Sequence, residues 1–177
     1  LDFDKPKWTG ETGRILLHTE QGLGDSLQFV RYAAMAKRVC RGEVHLLAEP
    51  SLVPLFRLVE GIDSVLAKGT SGDAFPEFDY QLPLMSLSAV LDKGRSPRSF
   101  NAQYLKAPIN DIQAGKQVLD AIANGNPRIG VVWEGNQQNR KGMKRSIPTA
   151  VFMDFLQSVP THCAFFCLQP NWAGRGT

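Results

Sequence analysis

Two glycines and an acid stand close together near the start of the chain, in the run Glu-Gln-Gly-Leu-Gly-Asp that ends at Asp25. A carboxylate held in a cleft can act as a general base and take a proton from an attacking hydroxyl group. The simpler interpretation is that Asp25 opens a helix, where it stabilises the dipole or caps free amides. A dinucleotide-binding fingerprint is disfavoured because its third glycine is missing. The residue types therefore leave the general base and the helix-terminal acid open.

A second candidate site is the basic run that contains Arg140, Lys141, Lys144 and Arg145. The whole chain has a net charge of only +3, so this local cluster stands out. Solvated surface residues are the simple explanation, since lysine and arginine are normally exposed. Backbone amides and an arginine fork between a strand and a helix would instead suit a diphosphate. Nucleic-acid binding is disfavoured, because one short patch without interleaved aromatic residues is a poor footprint.

The elements around both candidates alternate between strand and helix patterns. This alternation predicts an α/β fold, a Rossmann-like parallel sheet with flanking helices. An apolar strand at 14–19 precedes the glycine turn, and helical spacing over 26–40 follows it. We expect Gly22 and Gly24 to allow a tight or positive-φ turn between this strand and this helix. Further strands are predicted at 43–49, 63–67, 78–82, 128–133 and 163–168, and further helices from residues 50, 86, 111 and 148.

The strand at 128–133 is a continuous apolar run, which is typical of a strand buried on both faces. The basic run follows it as a polar loop, and Pro148 then opens a helix. The strand, loop and helix at Arg14 are therefore repeated at Arg128. This repetition predicts two related α/β lobes, of which the second has only its first two strands in this chain.

Composition sets broad limits on the class of protein. A chain of 177 residues that is 43% hydrophobic can bury a substantial core. It contains no run of about 20 apolar residues and no signal-peptide pattern at its start, so we expect a cytoplasmic protein without a transmembrane segment. Cys40, Cys163 and Cys167 lack metal-ligand spacing and predict buried free thiols and no metal site. His18, beside apolar neighbours, is more typical of a structural histidine than of a site residue.

Several ordered motifs together resemble a known family. The runs EQGLGDSLQFVRY, FDYQLPLMSL and WEGNQQNRKGMKRSIP, with a later LQ, look like the glycosyltransferase-like region that follows tetratricopeptide repeats in bacterial proteins. That region is similar to the heptosyltransferases of lipopolysaccharide synthesis. The resemblance extends from Trp8 to Gln169 and implies a GT-B architecture. In that architecture residues 1–125 would form a Rossmann-like acceptor lobe, and residues 126–177 the beginning of an incomplete nucleotide-sugar donor lobe.

The resemblance also implies an activity, the inverting transfer of a sugar from a nucleotide-diphosphate donor to an acceptor hydroxyl, without a metal or other cofactor. Asp25 would be the catalytic base, and Arg145 would neutralise the departing diphosphate. Glu134 departs from the pattern, which has a small residue there. The remaining implied contacts are Gln21, Gly22, Gly24 and Arg31 for the acceptor, and Asn136 and Ser146 beside Arg145 for the donor phosphates.

The implied partners are a nucleotide-sugar and a glycan or protein acceptor. Because the remaining strands of a donor lobe are absent here, we expect activity from the complete protein rather than from this chain alone. Exposed strand edges would favour self-association. The alternative is a non-catalytic carbohydrate- or protein-binding module, a degenerate remnant that lacks the donor site.

Overall fold

The fold consists of two compact units, residues 1–107 and 108–177. The second unit begins just before a helix at Ile109–Ala123. The lobe boundary after residue 125, which the resemblance implies, stays a prediction. The computed structural model describes residues 3–71, 74–92, 103–135, 143–159 and 162–169.

The first unit is built on a parallel sheet, which confirms the predicted α/β class. Its four strands are β1 (Gly13–His18), β2 (Arg41–Ala48), β3 (Ser64–Ala67) and β4 (Tyr80–Pro83). They lie in the order β3-β2-β1-β4, and every neighbouring pair is parallel. All four carboxyl ends therefore meet at one edge of the sheet, and the glycine turn follows β1 at that edge.

Helices follow β1, β2 and β4, as the alternating pattern predicts. The helical region after the glycine turn comprises α1 (Leu23–Phe29), a 3-10 turn (Val30–Tyr32) and α2 (Ala33–Cys40). Two further 3-10 turns lead into short helices; these elements are Pro50–Leu52 with α3 (Val53–Phe56), and Leu84–Ser86 with α4 (Leu87–Asp92).

The core of the first unit explains why the central residues of β1 and the second half of β2 are mostly apolar. Ile15 and Leu17 of β1 pack into one cluster with side chains of the helices and of Trp8. Leu16 and Leu47, which point to the opposite face, are 0% and 2% exposed. Both faces of the central strands are thus covered, as is usual in parallel sheets.

The second unit contains a shorter parallel pair. It comprises α5 (Ile109–Ala123), β5 (Arg128–Val131), α6 (Thr149–Ser158) and β6 (Ala164–Cys167). Trp133 stacks on Phe152 with ring centroids 4.7 Å apart, and both side chains are buried.

Two predictions about burial are wrong. β5 is not buried on both faces, because Arg128, Ile129 and Gly130 are exposed. β5 has only β6 beside it within the described residues, and one pair of strands does not enclose two faces. Of the three free cysteines only Cys40 is buried, whereas Cys167 at the end of β6 is exposed.

Within the described parts of the chain, no helix combines the length and the apolar content needed to cross a bilayer.

Candidate functional site

The glycine turn begins where β1 ends. The Thr19 amide donates a hydrogen bond of 3.0 Å to the Leu47 carbonyl, which extends the β1–β2 pairing by one residue. Residues 20–22 are exposed, and Gly22 is the N-cap of α1. The turn is therefore anchored to the sheet on one side and opens to solvent at the edge where α/β proteins bind ligands.

Asp25 lies in the first turn of α1 and is partly exposed. Its carboxylate leans back over Gly22, since Oδ2 is 3.8 Å from the position that a Cβ on Gly22 would take. Among the described residues no hydrogen-bond donor or cation is paired with this carboxylate. The first turn of a helix favours a negative charge, so the acid is stabilised there and can still accept a proton or a hydrogen bond.

Of the two expected conformations, a tight turn or a positive φ, the positive φ is found at neither glycine. Gly22 has extended backbone, with φ −66° and ψ 169°, and glycine is well tolerated at an N-cap. Gly24 lies inside α1, and a Cβ there would meet nothing within 4 Å. The backbone does not require glycine at residue 24, and the absence of a side chain leaves open space beside Asp25.

Arg31 is placed by packing. Its guanidinium carbon lies 4.2 Å from the centre of the Tyr104 ring, a cation–π contact. The Tyr104 hydroxyl donates a hydrogen bond of 2.9 Å to the Leu27 carbonyl. Arg31 thus helps to hold the segment around Tyr104 against α1, while its predicted contact with an acceptor stays a prediction. Gln21 is exposed in the turn, as a ligand contact would require.

His18, at the end of β1, has a structural environment. Its Nε2 lies 3.1 Å from Oε1 of Gln81, and its ring lies 5.3 Å from that of Phe3. Burial lowers the pKa of the imidazole, so His18 is neutral near neutral pH. These contacts agree with the structural interpretation of this histidine.

An ion pair at the same sheet edge was not anticipated from the sequence. Lys68, which follows β3, lies with Nζ 2.6 Å from Oε1 of Glu49, which follows β2. Glu49 ends one predicted strand and Lys68 directly follows another, and neighbouring parallel strands end side by side. That placement was the available signal for the pair.

The second group of candidate residues lies in the other unit. The Ser146 hydroxyl accepts a hydrogen bond of 3.0 Å from the Gly135 amide, and the Ile147 amide donates one of 2.9 Å to the Trp133 carbonyl. These bonds join the beginning and the end of the loop after β5. Arg145 is exposed next to Ser146. Asn136 lies outside the described residues.

Glu134 has a partner that the sequence did not indicate. The Thr149 hydroxyl, in the first turn of α6, donates a hydrogen bond of 2.9 Å to Oε1 of Glu134. The Trp133 indole N–H in turn donates one of 3.2 Å to the Thr149 hydroxyl. A carboxylate of the chain itself is thus seated at the start of α6, beside the loop that would receive the donor phosphates.

The candidate acceptor residues around Asp25 lie in the first unit, and the candidate donor residues around Arg145 lie in the second. Each group is therefore a candidate site of its own. Within the described residues, no three His, Cys, Asp or Glu side chains come together as metal ligands. No family model, curated protein or solved structure matches this chain. The family resemblance depends on the quoted motifs alone.

Proposed function

We propose that this chain is part of an inverting glycosyltransferase, similar to the heptosyltransferases, that transfers a sugar from a nucleotide-diphosphate donor to an acceptor hydroxyl. One observation carries the proposal. The Asp25 carboxylate is partly exposed and unpaired among the described residues, at the carboxyl edge of a parallel sheet. A general base needs this combination of a fixed position and an accessible oxygen.

The reaction assigns Asp25 a specific proton. Its carboxylate takes the proton of the acceptor hydroxyl while that oxygen attacks the anomeric carbon of the donor sugar. The bond from the anomeric carbon to the diphosphate oxygen breaks, and the diphosphate leaves with the electron pair. Attack from the face opposite the leaving group inverts the anomeric centre. Proton transfer to a positioned base contributes a factor of about 10²–10⁴ in rate.

The open space beside Asp25 supports the binding of an acceptor. Gly24 has no neighbouring atom within 4 Å of its missing Cβ, so a sugar ring can approach the first turn of α1 closely. Gln21 is exposed in the same turn and supplies an amide that can bond to a second hydroxyl. We assign Gln21, Gly22 and Gly24 to the acceptor side, with Arg31 as a contributor that also packs on Tyr104.

The loop after β5 is assigned to the donor. Arg145 is exposed and permanently charged, so it can neutralise the departing diphosphate. Ser146 stands next to it, with its hydroxyl beside the Gly135 amide. Asn136 completes the assigned set. A metal ion is not needed when an arginine supplies the positive charge.

A second function, binding without catalysis, is favoured by Glu134. Its carboxylate is hydrogen-bonded to Thr149 at the start of α6 and would repel a diphosphate placed there. A chain that binds the acceptor but repels the diphosphate of the donor would bind a carbohydrate or protein without transferring a sugar.

A comparison of Asp25→Asn with Asp111→Asn separates the two functions. Both acids lie in the first turn of a helix, so the control removes the same charge from a similar position. The assay uses the longest available form of the protein with a panel of nucleotide-sugars and measures the rate at which nucleoside diphosphate is released. Relative to wild type, we expect this rate to fall by about 10²-fold or more in Asp25→Asn and to stay unchanged in Asp111→Asn. Equal turnover in both variants would exclude Asp25 as the base. Saturable glycan binding without donor turnover would favour the binding module.

A further inference from the structure

The side-chain amide of Gln169 forms hydrogen bonds to backbone groups just beyond the end of β5, in the place where the backbone of a neighbouring strand would form them. Gln169 lies two residues beyond the end of β6, and its Oε1 accepts hydrogen bonds from the amides of Glu134 at 3.1 Å and Trp133 at 3.4 Å. Its Nε2 donates to the Glu134 carbonyl oxygen at 3.1 Å. The backbone pairing of β5 with β6 reaches the bond from the Leu168 amide to the Val131 carbonyl. The side-chain amide of Gln169 continues that pairing beyond Leu168.

The residues that Gln169 contacts are the beginning of the loop after β5. The end of that loop returns to the same place, because Ile147 donates to the Trp133 carbonyl and Gly135 donates to the Ser146 hydroxyl. Residues 133–135 are therefore bonded both to Gln169 and to residues 146–147. A displacement of the Gln169 amide would release Glu134 on one side and alter the position of Ser146 on the other.

We propose that Gln169 is a positioning residue that fixes residues 133–135, and through them Ser146, at the donor loop. The link to the donor rests on the proposed function, whereas the link to the loop rests on the hydrogen bonds alone. Only a group with both a donor and an acceptor can make these bonds. An ionised carboxylate has no hydrogen to donate and would repel the Glu134 carbonyl oxygen.

The test compares Gln169→Leu with Gln157→Leu in the full chain, since Gln157 is an exposed residue of α6 and the control makes the same substitution. The measured quantity is the protection of the Glu134 amide against hydrogen exchange. At pH 7 we expect Gln169→Leu, which removes both the acceptor of the Glu134 amide and the donor to the Glu134 carbonyl, to lose about tenfold of this protection, the loss expected for one hydrogen bond.

Several controls make this result decisive. The Ala164 amide, which donates to the Pro127 carbonyl in the backbone ladder, should keep its protection in both variants, so a general loosening of the unit is recognised. Unchanged protection of Glu134 in Gln169→Leu overturns the proposal. If this variant does not fold at pH 7, Gln169→Asn replaces it. The asparagine amide is one methylene too short to reach residue 134, so protection should fall, and unchanged protection again overturns the proposal.

Pyrophosphate titration of the wild-type chain separates this inference from the proposed function. Failure to bind pyrophosphate counts against the donor loop and removes the functional part of the role of Gln169. The exchange measurement on Glu134 decides the positional part independently.

Discussion

The hydroxyl of Tyr32 donates a hydrogen bond of 2.8 Å to Oδ2 of Asp92, and both side chains are buried in the first unit. Burial, with the neighbouring carboxylate, raises the pKa of Tyr32 to about 12. The bond joins the helical region after the glycine turn to the end of α4. Tyr32 is therefore a structural residue of the core of the first unit.

Tyr32→Phe should destabilise the protein by removing the donor to Asp92. A buried carboxylate that loses its partner costs about 1–3 kcal/mol or more, because it has already lost its hydration. Tyr80→Phe is the control, since the Tyr80 hydroxyl has no hydrogen bond within the described residues. Chemical denaturation of both variants measures the difference, and equal stability would show that the bond to Asp92 contributes nothing.

Gly61→Ala should be more damaging than Gly69→Ala. Both glycines have positive φ, +88° and +91°, so both variants carry the backbone strain of about 1–2 kcal/mol. A Cβ on Gly61 would also lie 2.5 Å from the Ala34 Cα, whereas one on Gly69 would meet nothing within 4 Å. Thermal or chemical unfolding should rank Gly61→Ala as the less stable variant, and equal losses would mean that α2 can move aside.

Gly24→Ala should reduce ligand binding or turnover without reducing stability. The methyl group meets no atom of the chain within 4 Å, and alanine is preferred over glycine in a helix by up to about 1 kcal/mol. Gly115→Ala in α5 is the matched control, since its Cβ also meets nothing within 4 Å. A binding defect confined to Gly24→Ala supports an acceptor beside Asp25. Two variants with the same function would place the acceptor elsewhere.

Glu134→Gln should strengthen the binding of pyrophosphate. The substitution keeps the shape of the side chain and removes a negative charge at the start of the loop after β5, to which the proposal assigns the donor phosphates. A like-charge repulsion of about 1 kcal/mol corresponds to about a fivefold change in affinity. Asp154→Asn removes the same charge from an exposed position of α6 and should change the affinity less. Isothermal titration calorimetry gives both values. Equal changes in affinity would indicate that the net charge of the chain matters, rather than the position of the Glu134 carboxylate beside Thr149.

The stability of the first unit should decline as the pH falls below about 6.5. Burial lowers the pKa of His18 and of His45, so the unfolded chain binds protons that the folded chain does not. This stability is fully present above the unfolded pKa and is lost as the pH falls toward and below the lowered folded pKa. Unfolding free energies between pH 5 and 8 should show a weaker pH dependence in His18→Gln, whereas His162→Gln, at an exposed position, should match wild type.

The elements that could be predicted are those determined by neighbouring residues. β1, the turn and the helical region through Cys40 follow from an apolar run, a glycine pair and helical spacing within one segment. The expected burial of β5 failed because burial depends on which elements cover a strand, and its own residues do not contain that information. The contact of Glu134 with Thr149 was missed for a similar reason, since a loop separates the two residues.

In the candidate site, too, the features fixed by neighbouring residues could be predicted, and those that depend on distant contacts could not. Sequence placed Asp25 correctly at the start of a helix that follows a strand, and the structure agrees. The backbone of Gly22 and Gly24 was not predictable, because glycine is compatible with ordinary as well as positive φ values. The stacking of Arg31 on Tyr104 and the bonds of Gln169 join distant residues, so they emerge only from the folded chain.

The strand order of the first sheet also sets an order of assembly. The contact of Arg14 with Asp79, beside the pairing of β1 with β4, closes a loop of 65 residues, whereas that of His45 with Ser64, between β2 and β3, closes one of 19. The entropic penalty of closing a loop rises with its length, and distant pairings slow folding. We therefore expect β4 to pair with β1 after β2 and β3 have paired. The carboxyl edge of the sheet, next to which Asp25 lies, is then completed only when this most distant strand has been added.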